Sequence, residues 1–182
     1  MMKWAIITGA SSGIGEEFAH EFYDMGYSLV MVSKTSEKLI SLKNRLEKIN
    51  AARRNKYQKK ASSRKQENPA SNMDEIESAV NNETAGTGKS NRSAKAQRIE
   101  IIAADLGDAA GMETAAAKIK ALFGDPENLP AILINSAGFG AVGDFSNISI
   151  EKQEAMIDVN VKGLVYLTYQ VLPIMEKAGG GR

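Results

Sequence analysis

The run Thr8-Gly9-Ala10-Ser11-Ser12-Gly13-Ile14-Gly15 restricts this chain more than any other stretch, because an apolar run precedes it and a helical repeat follows. Trp4-Ala5-Ile6-Ile7 reads as a buried strand, and Ile14, Phe18, Phe22 and Met25 recur at helical spacing beyond the turn. Glycines at such a junction let the backbone turn tightly and approach a ligand with no Cβ in the way. The unpaired N–H groups of the helix start then face whatever lies there, and a pyrophosphate matches them well. A glycine-rich strand–helix corner without a ligand has the same local pattern. A second strand, Leu29-Val30-Met31-Val32, follows Gly26 and completes a βαβ unit of the expected length.

The rest of the chain repeats that alternation. Ile99, Ile101 and Ile102 mark a third strand that ends at Ala104-Asp105-Leu106, and Met112, Ala115, Ala116, Ile119 and Leu122 mark a helix. Ile132-Leu133-Ile134 form a fourth strand stopping at Asn135-Ser136-Ala137-Gly138. A long helix is expected from Ser149, its N-cap, to about Lys177, with Pro173 bending its last turns by removing the bond to Tyr169. Strand and helix in turn imply an α/β fold, a doubly wound parallel sheet of Rossmann type. Right-handed crossovers give the strand order 3-2-1-4, with a ligand at the switch point between strands 1 and 4.

One stretch breaks the pattern. From about Asn50 to Gln97 the chain is rich in Lys, Arg, Ser, Asn and Glu, too polar to offset the entropy of ordering. It is expected to be a disordered polar insertion within a single 1–182 domain, with a fleeting helix over Asp74 to Val80. Its basic half (Arg53, Arg54, Lys56, Lys59, Lys60, Arg64, Lys65) reads as a solvated surface, with contact to RNA or a membrane the alternative. Gly88-Lys89-Ser90 mimics the end of a Walker motif, but Glu83 stands where that motif needs glycine.

Composition narrows the function classes. The 182 residues are 43% hydrophobic and 25% charged, with net charge +1, so no overall charge calls for nucleic acid. Without cysteine there is no disulfide, thiol nucleophile or iron–sulfur ligation. No apolar run approaches a membrane span, the N-terminus does not resemble a secretory signal, and a cytoplasmic protein is the expectation. His20 alone cannot build a metal site, and no metal is expected.

With these motifs in this order, the chain resembles the short-chain dehydrogenase/reductase family over residues 1–49 and 98–182. The glycine-rich run matches that family's cofactor motif, and Asp105-Leu106 its adenine-side pair. Asn135-Ser136-Ala137-Gly138 matches its N-N-A-G segment with one asparagine replaced by serine, and Asn160 its helix-borne catalytic asparagine. The resemblance implies that Gly9, Gly13 and Gly15 surround a pyrophosphate, that Ser11 and Ser12 donate to it, and that Ile14 leans on the nicotinamide. It implies that Asp105 accepts from the adenine amino group while Leu106 offers its backbone. Asn135 would brace the fourth strand, Ala137 and Gly138 would line the adenosine ribose, and Asn160 would position a water in a proton relay. Asp105 as a helix cap and Asn160 as an ordinary helix polar group are the bland alternatives.

The cofactor can be argued further. An acidic residue ending the second strand would hold a ribose 2′-hydroxyl and repel a 2′-phosphate. Here Ser33 and then Lys34 stand, which favours NADP(H) over NAD(H). The reaction implied is hydride transfer to or from a carbonyl or alcohol carbon of a small molecule. The family's Tyr-x-x-x-Lys pair does not occur: the fourth residues after Tyr23, Tyr27, Tyr57, Tyr166 and Tyr169 are Tyr27, Met31, Ala61, Gln170 and Pro173. The expectation is therefore the cofactor-binding half of a truncated oxidoreductase, inactive alone and marginally stable with an open fourth strand, and a homo-oligomer when complete. A non-catalytic NADP(H)-binding regulatory module is the second reading.

Overall fold

The computed structural model describes residues 1–67 and 97–182. Chain order is β1 (Met2–Thr8), α1 (Gly13–Asp24), β2 (Ser28–Ser33), α2 (Ser36–Glu67), β3 (Ile99–Ala103), α3 (Ala109–Leu122) and β4 (Asn128–Asn135). A short 3-10 turn (Phe145–Asn147) then leads into α4 (Ile150–Ile157), a π-helical turn (Asp158–Gly163) and α5 (Leu164–Lys177). The four strands are all parallel in the order β3-β2-β1-β4, the order the motif pattern implies. Thr8 pairs with Val32 on one side and Asn135 on the other, and Ser33 pairs with Ala103. The carboxyl ends of all four strands therefore meet along one rim.

Side chains alternate across the sheet and feed two cores. Trp4, Ile6, Val30, Val32 and Ile102 face Met112, Ala115 and Ile119 of α3 and Leu167, Val171 and Met175 of α5. Ala5, Ile7, Leu29 and Met31 face Ala19 and Tyr23 of α1 and Leu39, Leu42 and Leu46 of α2. The helix α1 lies where the helical spacing was expected. Its buried residues are Gly15, Ala19 and Tyr23, while Ile14, Phe18 and Met25 are exposed. Gly15 and Ala19 let the first turns of the helix lie close to the sheet, and Tyr23, with Phe22 beside it, fills the space against its later turns.

The helix α2 continues through Glu67, past Asn50 where the polar insertion was expected to begin. Residues 68–96, with the Asp74–Val80 segment and Gly88-Lys89-Ser90, lie outside the described residues. The flanks of the excursion meet: Asn50 Nδ2 donates to Gln97 Oε1 at 2.8 Å, and Gln97 Nε2 donates to the carbonyls of Tyr23 and Tyr27 at 2.6 and 3.0 Å.

Ser149 caps α4, accepting the Lys152 N–H, as its sequence position implies. The long helix carries an irregularity that was not expected. Pro173 sits inside α5, which runs on to Lys177, and the helical ladder is widened at Asp158–Gly163. Beyond α5, Arg182 donates to the Ala131 carbonyl at 3.0 Å and accepts the Leu133 N–H at 2.8 Å. The outer edge of β4, expected to be open, is thus paired along part of its length. No described helix is long and apolar enough to cross a membrane.

Candidate functional site

A cleft of about 650 Å³ opens at the rim where β1 and β4 diverge to opposite helix layers. Its floor is the turn after β1. Gly9 and Gly13 have φ of 65° and 56°, left-handed values that a side chain would strain. A Cβ on Gly9 would lie 2.6 Å from the Ser136 carbonyl oxygen, so the turn presses directly on the loop after β4. Gly15 lies beneath the turn rather than on the cleft wall, its Cα packed against the Gly9 carbonyl. Ser12 has extended backbone at the N-cap of α1, leaving the first N–H groups of that helix at the cleft.

Two hydroxyls lock these loops together. Thr8 Oγ1 accepts the N–H groups of Ser136 and Ala137, both at 3.0 Å, and donates to the Ile134 carbonyl at 3.4 Å. Ser33 Oγ donates to Ser11 Oγ at 2.7 Å, tying the end of β2 to the glycine turn. The sequence reading assigned a role to neither Thr8 nor the Ser33 hydroxyl. The signal for Thr8 was its place as the last residue of the first strand, where a side chain can reach the neighbouring strand's exit.

The remaining predicted residues divide by position. Gly9, Ser11, Ser12, Gly13, Ile14, Lys34, Asp105, Leu106, Ala137 and Gly138 all line the cleft. Ile14 is 70% exposed there, an apolar surface offered to a ligand rather than to the core. Asn135 is off the wall; its Nδ2 donates to Thr168 Oγ1 at 3.0 Å and ties the end of β4 to α5. Asn160 is also off the wall, on the π-helical turn, and binds the Phe139 backbone twice. Phe139, Gly107, Asp108 and three residues from α4 and the π-helical turn (Ala155, Asp158, Val159) also line the cleft and were not among the expected site residues.

Charge is concentrated at the β2–β3 end. Lys34 Nζ lies 2.6 Å from Asp105 Oδ2, and the Gly107 N–H donates to Asp105 Oδ1 at 3.0 Å. The hydrogen bond from Lys34, then that from Gly107, holds the Asp105 carboxyl below the usual carboxylate range. The same contact raises Lys34, with the more distant Asp108 adding to it. No group of three or more His, Asp or Glu among the described residues could hold a metal ion.

Residues 3–82 and 70–182 match the family described as short chain dehydrogenase, which is nearly the whole chain. The chain belongs to the short-chain dehydrogenase family. The oxidoreductase UcpA of Salmonella typhimurium is 29% identical over 99% of this chain and 49% of its own length. A very-long-chain 3-oxoacyl-CoA reductase of Candida glabrata is 50% identical, over 24% of this chain and 12% of its own. Among solved structures, L-sorbose reductase of Gluconobacter frateurii, complexed with NADPH and L-sorbose, superposes with a TM-score of 0.67 at 22% identity. It covers 99% of this chain and 50% of its own. A bulky-bulky ketone specific alcohol dehydrogenase of Comamonas testosteroni gives 0.65 at 22% identity, over 100% of this chain and 52% of its own. This short-chain dehydrogenase chain thus spans about half the length of UcpA and of both solved relatives.

Proposed function

We propose that this chain binds NADP(H) and forms the cofactor-holding part of an oxidoreductase acting on a carbonyl or alcohol carbon of a small molecule. The observation that carries the proposal is the cleft itself: left-handed glycines, a helix N-terminus and Lys34 gathered at the switch point of a parallel sheet. Open space beside Gly13, with nothing within 4 Å of a Cβ built there, fits a group pressed against the turn. Bound there, the cofactor supplies the hydride.

The chain's own residues hold and orient it. Gly9, Gly13 and the first N–H groups of α1, with Ser11 and Ser12, take the pyrophosphate, and Gly15 lets the helix start close beneath. Lys34 takes the 2′-phosphate, and Asp105 with the Leu106 backbone takes the adenine. Ala137 and Gly138 border the ribose. Ile14 and Phe139 present apolar surface that excludes water from the nicotinamide. Asn135 acts by fixing β4, and Asn160, the one catalytic residue proposed in this chain, positions a water for proton transfer.

The whole protein is proposed to act in the cytoplasm as a homo-oligomer, without nucleic acid or membrane. Ile157, Val161, Val165, Tyr169 and Leu172 are between 50% and 75% exposed and recur every three to four residues along α4–α5. Such a stripe is unusual on a surface facing only water. Sedimentation should show an assembly that Val165→Lys weakens.

Calorimetry with NADPH and NADH tests the central reading. NADPH is expected to bind more tightly, and Lys34→Ala to remove the difference. Absence of heat from both reduced dinucleotides at millimolar concentration overturns it.

A further inference from the structure

Among the described residues the cleft has one cationic side chain on its wall, and that cation is already engaged. Lys34 and Asp105 reach each other from the ends of β2 and β3, and the two partners differ in freedom. The Asp105 side chain is 29% exposed and held by the Gly107 N–H, and Gly111 of α3 packs against its backbone so closely that no Cβ fits. The Lys34 side chain is 76% exposed on a flexible stem. The carboxylate is fixed and the ammonium is the part that can move.

Resting on the reading of the cleft as a dinucleotide site, the geometry points to Asp105 as the residue that sets the preference for a 2′-phosphate, by competing for Lys34. A ligand with a 2′-phosphate must draw the ammonium away from Asp105 or share it. A ligand with a 2′-hydroxyl leaves the pair intact. Discrimination is the difference between those two processes, so the lysine's attraction for phosphate is discounted by the contact it gives up. Asp105 is thus a specificity-determining residue that acts through Lys34, in addition to any bond it makes to adenine.

The test compares 2′,5′-ADP with 5′-AMP, which differ only in the 2′-phosphate, by calorimetry at low ionic strength. Asp105→Asn keeps an acceptor for Gly107 but no charge, and Asp105→Ser is a second neutral replacement. Either one that keeps the wild-type circular dichroism is used. The affinity ratio in favour of 2′,5′-ADP is expected to rise about fivefold or more when the carboxylate is removed. In a Lys34→Ala background the same replacement is expected to leave the ratio unchanged, because the competition has no object.

An unchanged ratio in the single variants overturns the inference, as does a rise that persists in full without Lys34. Failure of wild type to bind either nucleotide sinks the proposed function instead. Binding of both with an unaltered ratio sinks only the role of Asp105.

Discussion

Asn160 holds the backbone of Phe139 from both sides: its Oδ1 accepts the Phe139 N–H at 3.0 Å and its Nδ2 donates to the Phe139 carbonyl at 2.9 Å. A side-chain amide carries a donor and an acceptor on separate atoms, so it can answer both backbone groups of one residue without charge. It does so from a π-helical turn, a widening of the helix often found at functional sites. A Cβ on Gly138 would come within 2.8 Å of Asn160 Oδ1, so the loop and the amide are packed as well as bonded.

Asn160→Ala should therefore loosen the exit of β4 without disturbing the sheet. Two hydrogen bonds at an exposed site are worth about 1 kcal/mol together. The amide proton of Phe139 should exchange faster, and NADPH affinity should fall. Asn160→Asp keeps the acceptor and loses the donor, and its exchange rate should lie between those of wild type and Ala.

Thr8→Val tests the joint between the turn and the loop after β4. The replacement has nearly the same shape, yet it leaves the N–H groups of Ser136 and Ala137 without their acceptor. We expect a loss of about 2 kcal/mol or more in urea unfolding. Thr8→Ser, which restores the hydroxyl, should recover most of it.

Gly13 and Gly15 should respond differently to substitution. At Gly13 the difficulty is the positive φ alone, since nothing lies within 4 Å of a Cβ. Gly13→Asn, whose side chain tolerates that region, should fold with a loss of about 1 kcal/mol. At Gly15 a Cβ would strike the Gly9 carbonyl, backbone that cannot give way without moving the turn. Gly15→Ala should weaken NADPH binding more than Gly13→Asn weakens stability, as calorimetry and thermal melting will show.

The Lys34–Asp105 pair carries a pH signature. Asp105 is lowered in the fold, so its contribution is present above the ordinary carboxylate value and is lost as pH falls through its folded value. Lys34 is raised, so its contribution is present below the ordinary lysine value and is lost as pH rises through its folded value. The stability difference between wild type and Asp105→Asn should thus be flat from about pH 5 to 9 and shrink below about pH 4. A difference that changes across neutral pH would mean that another group titrates with the pair.

The parallel sheet, its strand order and the rim where the cleft lies were legible in the sequence. Apolar runs, glycine turns and helix lengths are local signals, and right-handed crossovers leave few ways to join them. Most of the cleft lining was legible for the same reason, since residues at the ends of strands share a rim in any such sheet. The inward face of α1 was not. Helical spacing marked the helix without fixing which side meets the sheet, and close packing buries Gly15, Ala19 and Tyr23.

What the residues alone determined is a nucleotide-type cleft at the switch point of an α/β sheet, with Lys34 near it. Only the tertiary structure decided that Lys34 is paired with Asp105, that Thr8 fastens the β4 exit, and that Asn160 clamps Phe139. These partners are separated by long stretches of chain, and no periodicity or motif records a contact that exists only once the strands are side by side. The helix widening at Asp158–Gly163 has no glycine or proline at its start, and no sequence signal marked it.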